Sequence, residues 1–105
     1  MIYTMNEIKD RVAPVANKYQ LRAVYLFGSY ARSEAKENSD VDLLVDRTGS
    51  IIKGMFDMGS LYEDLKNSIG KNIDLITTQM LDQPETQNRS PIFVASVQKE
   101  RIRIL

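Results

Sequence analysis

The sequence predicts a layered α/β or α+β fold for a single domain spanning residues 1–105. Short apolar segments typical of strands alternate along the chain with longer amphipathic segments typical of helices. The chain has 105 residues, of which 43% are hydrophobic. That length is enough to bury one hydrophobic core and too short for two independently stable domains.

The first element is an amphipathic helix over residues 1–20. Its apolar residues recur every three or four positions. Thr4, followed three residues later by Glu7, has the spacing of a capping box and predicts where the helix begins. Pro14 lies inside the pattern, so a kink or a break is expected there.

Two strands and a short helix are predicted next. Residues 23–27 are apolar, β-branched and aromatic, which indicates a buried strand that stops at a turn at 28–29. Residues 30–36 favour a short helix. Apolar and acidic residues then alternate over 40–46, as in a second strand.

A long amphipathic helix is predicted over residues 51–69. Gly54 and Gly59 interrupt it, and Gly70 has the residue type expected just after a helix end. A third strand is predicted at 73–77.

The last part of the chain has a weaker pattern. Residues 79–90 are predicted to be a loop with at most one helical turn. Ser90 and Pro91 have the residue types of a helix N-cap and a first helical position, so a terminal helix is expected after them. A strand at 101–105 is the competing interpretation.

The composition limits both the chemistry and the location. Without cysteine or histidine, thiolate nucleophiles, histidine-containing triads and metal sites built on those residues are excluded. The 14 basic and 14 acidic residues cancel, which argues against nucleic-acid or membrane binding driven by net positive charge.

No segment approaches the roughly 20 apolar residues that span a bilayer. The N-terminus lacks a signal-peptide pattern, so we expect a cytoplasmic protein.

Three aspartates stand where predicted strands can bring them together. Asp40 and Asp42 are two positions apart on one strand and share a face, and Asp74 lies on another strand. Like charges on one face repel unless they are solvated or neutralised. Carboxylate oxygens are ligands that Mg²⁺ prefers. If the strands are neighbours, three carboxylates suffice to hold two metal ions for displacement at phosphorus.

The turn at Gly28-Ser29 lies ten residues before this acidic strand. A glycine between a strand and a helix lets the backbone approach a phosphate, and the first N–H groups of the helix bind anions. Ser29 adds a hydroxyl, and Arg32 can point a guanidinium at a triphosphate. The pattern predicts nucleotide binding at Gly28, Ser29 and Arg32.

Each feature has a simpler interpretation when it is taken alone. A Gly-Ser pair is usually a turn, and two acids two residues apart usually form a solvated strand face. Asp74 can protect an exposed strand edge, and Arg32 can be a surface residue paired with an acid. The combination, at fixed spacing and in a coherent structural context, favours a phosphate and metal site.

Two segments resemble a known family. FGSYARSEAKENSDVDLLVD (27–46) resembles the signature of the nucleotidyltransferase superfamily that includes DNA polymerase beta. It is more similar still to the minimal nucleotidyltransferases of prokaryotes, which often act as antitoxins beside HEPN-domain toxins. KNIDLIT (71–77) resembles the strand with that family's third acid. The resemblance spans residues 21–77 and implies a nucleotidyltransferase fold, a small mixed sheet flanked by helices.

The resemblance also implies a site and a reaction. Asp40 and Asp42 would hold Mg²⁺ in a two-ion site that Asp74 completes, and Asp74 would serve as base toward the acceptor hydroxyl. Gly28 and Ser29 would contact the phosphates of ATP. AMP would pass to an acceptor with release of pyrophosphate, and the implied acceptor is a tyrosine hydroxyl of a partner HEPN toxin.

Two alternatives remain open at this point. One is a non-catalytic antitoxin that neutralises its toxin by binding. The other is a small-molecule nucleotidyltransferase, against which the short chain argues.

One position departs from the family pattern. Many members have glycine after the arginine of the signature, whereas this chain has Ser33. We expect this serine to be tolerated, because the position is predicted to lie on the short helix rather than at the phosphate.

Overall fold

A four-stranded mixed sheet lies at the centre of the computed structural model, which describes residues 1–105. In chain order the elements are α1 (Met5–Tyr19), β1 (Ala23–Phe27), α2 (Gly28–Ala31), β2 (Val41–Asp46), α3 (Met55–Ile69), β3 (Ile73–Thr77), α4 (Thr78–Asp82), α5 (Pro84–Arg89), α6 (Pro91–Glu100) and β4 (Ile102–Arg103). The strand order is β3-β2-β1-β4. β2 pairs antiparallel with β1 and parallel with β3. The predicted fold class is confirmed.

The two faces of the sheet pack against different helices. α1 and α3 cover one face and form a cluster of 18 buried residues with it. α4 and α6 cover the other face through a cluster of 4 buried residues, which are Phe27, Leu44, Leu81 and Val97. Because side chains alternate along a strand, Leu43 and Val45 belong to the first face. Asp42 shares the second face with Leu44.

The first helix begins as the sequence predicts. The Thr4 hydroxyl accepts a hydrogen bond from the Glu7 N–H, and the Glu7 carboxylate accepts one from the Thr4 N–H. Pro14 does not split the helix, which continues to Tyr19. Because proline has no backbone N–H, Pro14 cannot donate a hydrogen bond to the Asp10 carbonyl. Both residues are exposed, so this carbonyl lies on the side of the helix that is open to water.

The short helix differs from its predicted span of 30–36. It occupies Gly28–Ala31, and Ser33 follows with a left-handed φ of 60° that cannot continue a helix. Ser33 therefore lies after the helix rather than on it. The conformation is one that glycine adopts without strain, which gives a physical reason for glycine at this position in relatives.

The long helix begins later than its predicted start at residue 51. It covers Met55–Ile69, with Gly54 extended at its N-cap and Gly70 left-handed at its C-cap. Gly59 does not interrupt the helix, because it lies on the exposed side, where the missing side chain removes no core contact.

The region predicted as a loop at 79–90 is largely helical, so that prediction is wrong. The Thr77 hydroxyl accepts from the Met80 N–H and caps α4, and Pro84 is the first residue of α5. Leu81 is 1% exposed and fixes α4 on the sheet. Tertiary packing thus stabilises a helix of five residues that is too short to persist alone.

The end of the chain combines the two competing predictions. α6 begins at Pro91 and ends at Glu100, and the two residues of β4 then pair antiparallel with β1. None of the helices has both the length and the apolar character needed to cross a bilayer.

Candidate functional site

A cleft of about 440 Å³ opens on the second face of the sheet, against α6. It lies within the size range of small-molecule sites, about 300–1,000 Å³. Its lining is divided between polar residues and apolar ones. The polar lining comprises Gly28, Arg32, Asp42, Asp74, Ser96 and Glu100, and the apolar lining comprises Phe27, Leu75, Ile76, Phe93 and Val97.

Strand pairing brings two of the predicted acids together. Asp42 of β2 stands directly opposite Asp74 of β3 in the parallel register, and opposite Phe27 of β1 in the antiparallel one. Asp42 is half-buried and Asp74 is exposed. Both carboxyl groups line the cleft.

The electrostatics of Asp42 show a site short of positive charge. Burial raises the pKa of Asp42 to about 7, and the neighbouring carboxyls of Asp74 and Asp40 push it in the same direction. The positive charge of Arg32 lowers the pKa of Asp42, but by less than burial and the two carboxyls raise it. A half-buried carboxyl whose ionisation is opposed by neighbouring acids is typical of sites that a cation completes.

The donors at this position fit a hard divalent cation only in part. Asp42 and Asp74 supply a pair of carboxylates of the kind Mg²⁺ binds together with substrate oxygens. Asp40, however, does not line the cleft. No group of three acidic side chains is placed to hold a metal ion. Asp40 precedes the first residue of β2, so strand pairing does not orient its side chain. Ligation by Asp40 stays a prediction.

Gly28 brings the backbone against the acidic pair. Its φ is +71°, and any side chain at this position would collide with the Asp42 carboxylate. The Gly28 backbone therefore lies against an acidic side chain, and its predicted contact with a phosphate stays a prediction. Ser29 does not line the cleft, and its carbonyl accepts from the Glu34 N–H. α2 has four residues, so its dipole adds little to anion binding.

Arg32 lines the cleft with its guanidinium held in place. Its Nε donates to Glu34 at 2.6 Å, and its Nη1 donates to Glu100 at 3.0 Å. Glu100 is the last residue of α6, so this ion pair joins the signature segment to the terminal helix. The arginine is oriented before any ligand arrives.

The α6 wall is the part of the cleft that no sequence motif marks. Phe93, Ser96, Val97 and Glu100 recur at the i, i+3, i+4 and i+7 positions of one helix face. That spacing can be recognised in the sequence. It does not predict a cleft, because it indicates only that one side of the helix is covered.

Comparison with known proteins identifies similar chains. The family model described as "Polymerase beta, Nucleotidyltransferase" matches residues 10–92. A Methanocaldococcus jannaschii protein, to which protein adenylyltransferase activity is attributed, is 38% identical over 73 residues, 70% of this chain and 76% of that protein. These two matches carry the family assignment.

Solved structures share the fold. One described as a minimal nucleotidyltransferase superposes with a TM-score of 0.68 at 27% identity, over 94% of this chain and 91% of the other. A chain from the complex of the tri-AMPylated Shewanella oneidensis HEPN toxin with an MNT antitoxin has a TM-score of 0.63 at 15% identity. That alignment covers 96% of this chain and 71% of the other. At that identity, the second likeness shows the fold alone.

Proposed function

This chain belongs to the polymerase beta nucleotidyltransferase family, and from that membership and the geometry of the cleft we propose that it is a Mg²⁺-dependent protein adenylyltransferase. It takes AMP from ATP and transfers it to a hydroxyl, that of a tyrosine, on a partner HEPN toxin in the cytoplasm. It acts as the antitoxin of that partner. The name of the archaeal relative and the HEPN–MNT complex with the same fold support this proposal.

One observation carries the proposal. The Asp42 and Asp74 carboxyls stand opposite each other in register, and the Gly28 backbone lies against them because the Asp42 carboxylate occupies the space that a side chain at Gly28 would need. A solvated strand face would not need a half-buried acid or a left-handed glycine packed against it. Arg32 is the one basic side chain of the cleft lining, and bound Mg²⁺ would supply the rest of the positive charge that a triphosphate needs.

Roles follow for the residues of this chain. The Gly28 backbone contacts phosphate oxygens, and Arg32 orients the triphosphate. Ser29 lies outside the cleft lining, so a phosphate contact by its hydroxyl stays a prediction. Asp42 and Asp74, with Asp40, would hold Mg²⁺. When bound, Mg²⁺ supplies the positive charge that stabilises the phosphate oxygens during displacement.

The transfer balances in a single displacement. The acceptor oxygen forms a bond to the α-phosphorus, and the bond from that phosphorus to the oxygen bridging toward the β-phosphorus breaks. Pyrophosphate leaves with the electron pair. Asp74, which is exposed in the cleft, accepts the proton of the acceptor hydroxyl at a carboxylate oxygen.

The test is the intact mass of the partner toxin after incubation with this chain, ATP and Mg²⁺. We expect a gain of one or more AMP units, which Asp40→Asn, Asp42→Asn and Asp74→Asn each abolish. Asp46→Asn is the matched control, because Asp46 is an acid on the same strand that does not line the cleft. This variant should retain transfer.

Other outcomes point to the other functions. A stable complex whose partner gains no mass would establish an antitoxin that works by binding alone. Transfer to a small hydroxylated compound without any partner would establish a small-molecule nucleotidyltransferase. Transfer at the wild-type rate by Asp42→Asn would refute the assignment of the site.

A further inference from the structure

The cleft has an apolar half that the transfer chemistry leaves unused. We define this apolar half as Phe27, Ile76, Phe93 and Val97, all of which line the cleft. The polar half contains the carboxylates, Gly28 and Arg32. With a cation between it and the carboxylates, a ligand that fills both halves would have a polyanionic part and an apolar part.

Phe93 is the most exposed residue of the apolar half. It is 45% exposed, whereas Phe27 is 7% exposed and Val97 is 1% exposed. The rings of Phe93 and Phe27 stand at 83° to each other, with centroids 6.2 Å apart. This edge-to-face contact holds the Phe93 ring in position. The partly exposed ring is therefore oriented while much of its surface stays open.

Along α6, the aromatic ring of the apolar half and the ion pair of the polar half are well separated. Phe93 precedes Glu100 by seven residues, a rise of about 10 Å along the helix, and Glu100 holds Arg32. A nucleoside triphosphate has the same division, with a flat apolar base joined through ribose to a polyanion. A protein acceptor that offers a hydroxyl has no polyanionic part joined to a flat apolar one, so it does not match both halves of the cleft.

We infer that the apolar half is where the nucleobase binds, and that Phe93 is the ring on which the base stacks. The inference rests on the proposed function, because that function assigns the triphosphate to the polar half. Stacking accepts any base, since every base has a π-face. Phe93 therefore contributes affinity for nucleotides as a class.

The test compares ATP with inorganic tripolyphosphate, which has the polyanion but no base. Each is titrated calorimetrically into the full chain in the presence of Mg²⁺. Phe93→Ala should weaken ATP binding about tenfold, a typical effect of removing one base-stacking ring. It should leave tripolyphosphate binding unchanged, and Phe93→Trp should retain the affinity for ATP.

Two variants control for loss of apolar surface and for damage to the helix. Phe56→Ala removes a phenylalanine that is 94% exposed on α3 and does not line the cleft. Ile92→Ala removes a side chain that is 82% exposed on α6 itself, next to Phe93 but outside the lining. Both should bind ATP as the unmodified chain does, and thermal unfolding should show every variant folded.

Two results would overturn the inference. In the first, Phe93→Ala leaves ATP affinity unchanged, and a fall in modification of the partner would then assign Phe93 to the acceptor. In the second, Phe93→Ala weakens binding of ATP and of tripolyphosphate equally, which would give Phe93 a purely structural role. If the unmodified chain binds neither probe, the proposed function itself fails, and the inference fails with it.

Discussion

Gly28 and Asp42 illustrate how single residues constrain one another at the site. The left-handed φ of Gly28 and the position of the Asp42 carboxylate leave no space for a Cβ. The Gly28 backbone therefore lies directly against this carboxylate. Substituting Gly28 and a second left-handed glycine, Gly49, separates the contribution of conformation from that of contact.

Gly28→Ala should destabilise the protein more than Gly49→Ala. Both glycines have positive φ, +71° and +72°, but nothing lies within 4 Å of a Cβ at Gly49. The left-handed conformation costs an L residue about 1–2 kcal/mol, and only Gly28→Ala adds the collision with Asp42. Urea unfolding measures the difference. Equal losses would show that Asp42 moves aside without cost.

Asp42 should make stability fall as pH rises when divalent cations are absent. Burial raises the pKa of Asp42 from 3.8 to about 7. The folded state therefore holds a proton that the unfolded state has lost between those values. The contribution is present in full below about pH 4 and is lost as pH rises through about 7. Asp42→Asn should be more stable than the unmodified protein at pH 8 in a chelator, as measured by thermal unfolding.

Asp46→Asn, on the same strand, should change the stability at pH 8 in the opposite direction from Asp42→Asn. Burial acts to raise the pKa of Asp46, but the hydrogen bonds from Thr48 and the charge of Arg22 outweigh burial and lower it. Its contribution is present above the unfolded value of 3.8 and is lost as pH falls through the lower folded value. Asp46→Asn should therefore reduce stability at pH 8. If both variants shifted stability in the same direction, the account of Asp42 would be contradicted.

At the scale of elements, β2 and α6 define the site. β2 lies between an antiparallel and a parallel neighbour, which places Asp42 beside both Phe27 and Asp74. α6 closes the cleft, yet it is attached through one fully buried residue, Val97, the edge-to-face contact of Phe93 with Phe27, and the Arg32–Glu100 ion pair. The wall opposite the acids is therefore more weakly held than the sheet.

Hydrogen exchange should be faster in α6 than in α3. α3 contributes Leu61, Leu65 and Ile69 to the large core cluster, whereas α6 buries only Val97 in the small one. Local opening follows the amount of buried apolar contact. Saturating ATP with Mg²⁺ should slow exchange in α6 and leave α3 unchanged. Equal protection of both helices without ligand would contradict this prediction.

At the scale of the whole molecule, Lys71 joins three distant segments. Its Nζ donates to the Met1 carbonyl at 2.6 Å, the Glu37 carbonyl at 2.9 Å and the Tyr30 hydroxyl at 3.0 Å. The N-terminus, α2 and the segment before β2 thus meet at the ammonium group of the turn before β3. The N-terminal amine adds an ion pair with Glu37 at 2.7 Å.

Lys71→Met should lower the free energy of unfolding by about 1–3 kcal/mol, the range for hydrogen bonds to a charged group. Lys9→Met is the control, because Lys9 is exposed on α1. A surface change of that kind stays within about 0.5 kcal/mol. Urea unfolding checks both variants, and equal effects would exclude a special role for Lys71.

Much of the local structure could be predicted because its causes are local. The capping box at Thr4, the alternation over 40–46 and the glycine after Ile69 each reflect neighbouring residues acting on one another. The spacing from Gly28 to Asp42 likewise indicates a phosphate and metal site from the residue types alone. The short helices after Thr77 could not be predicted, because packing rather than local sequence stabilises them.

The amino-acid sequence by itself determined the strands, the long helices and the candidate residues, since periodicity and capping act within a few residues. Only the tertiary structure decided which candidates meet. Parallel pairing of β2 with β3 joins Asp42 to Asp74, whereas Asp40 precedes β2 and does not line the cleft. Packing of α6 adds Phe93 and Glu100, which no motif marks. Such contacts depend on how distant segments share one core, and that is a property of the whole folded chain.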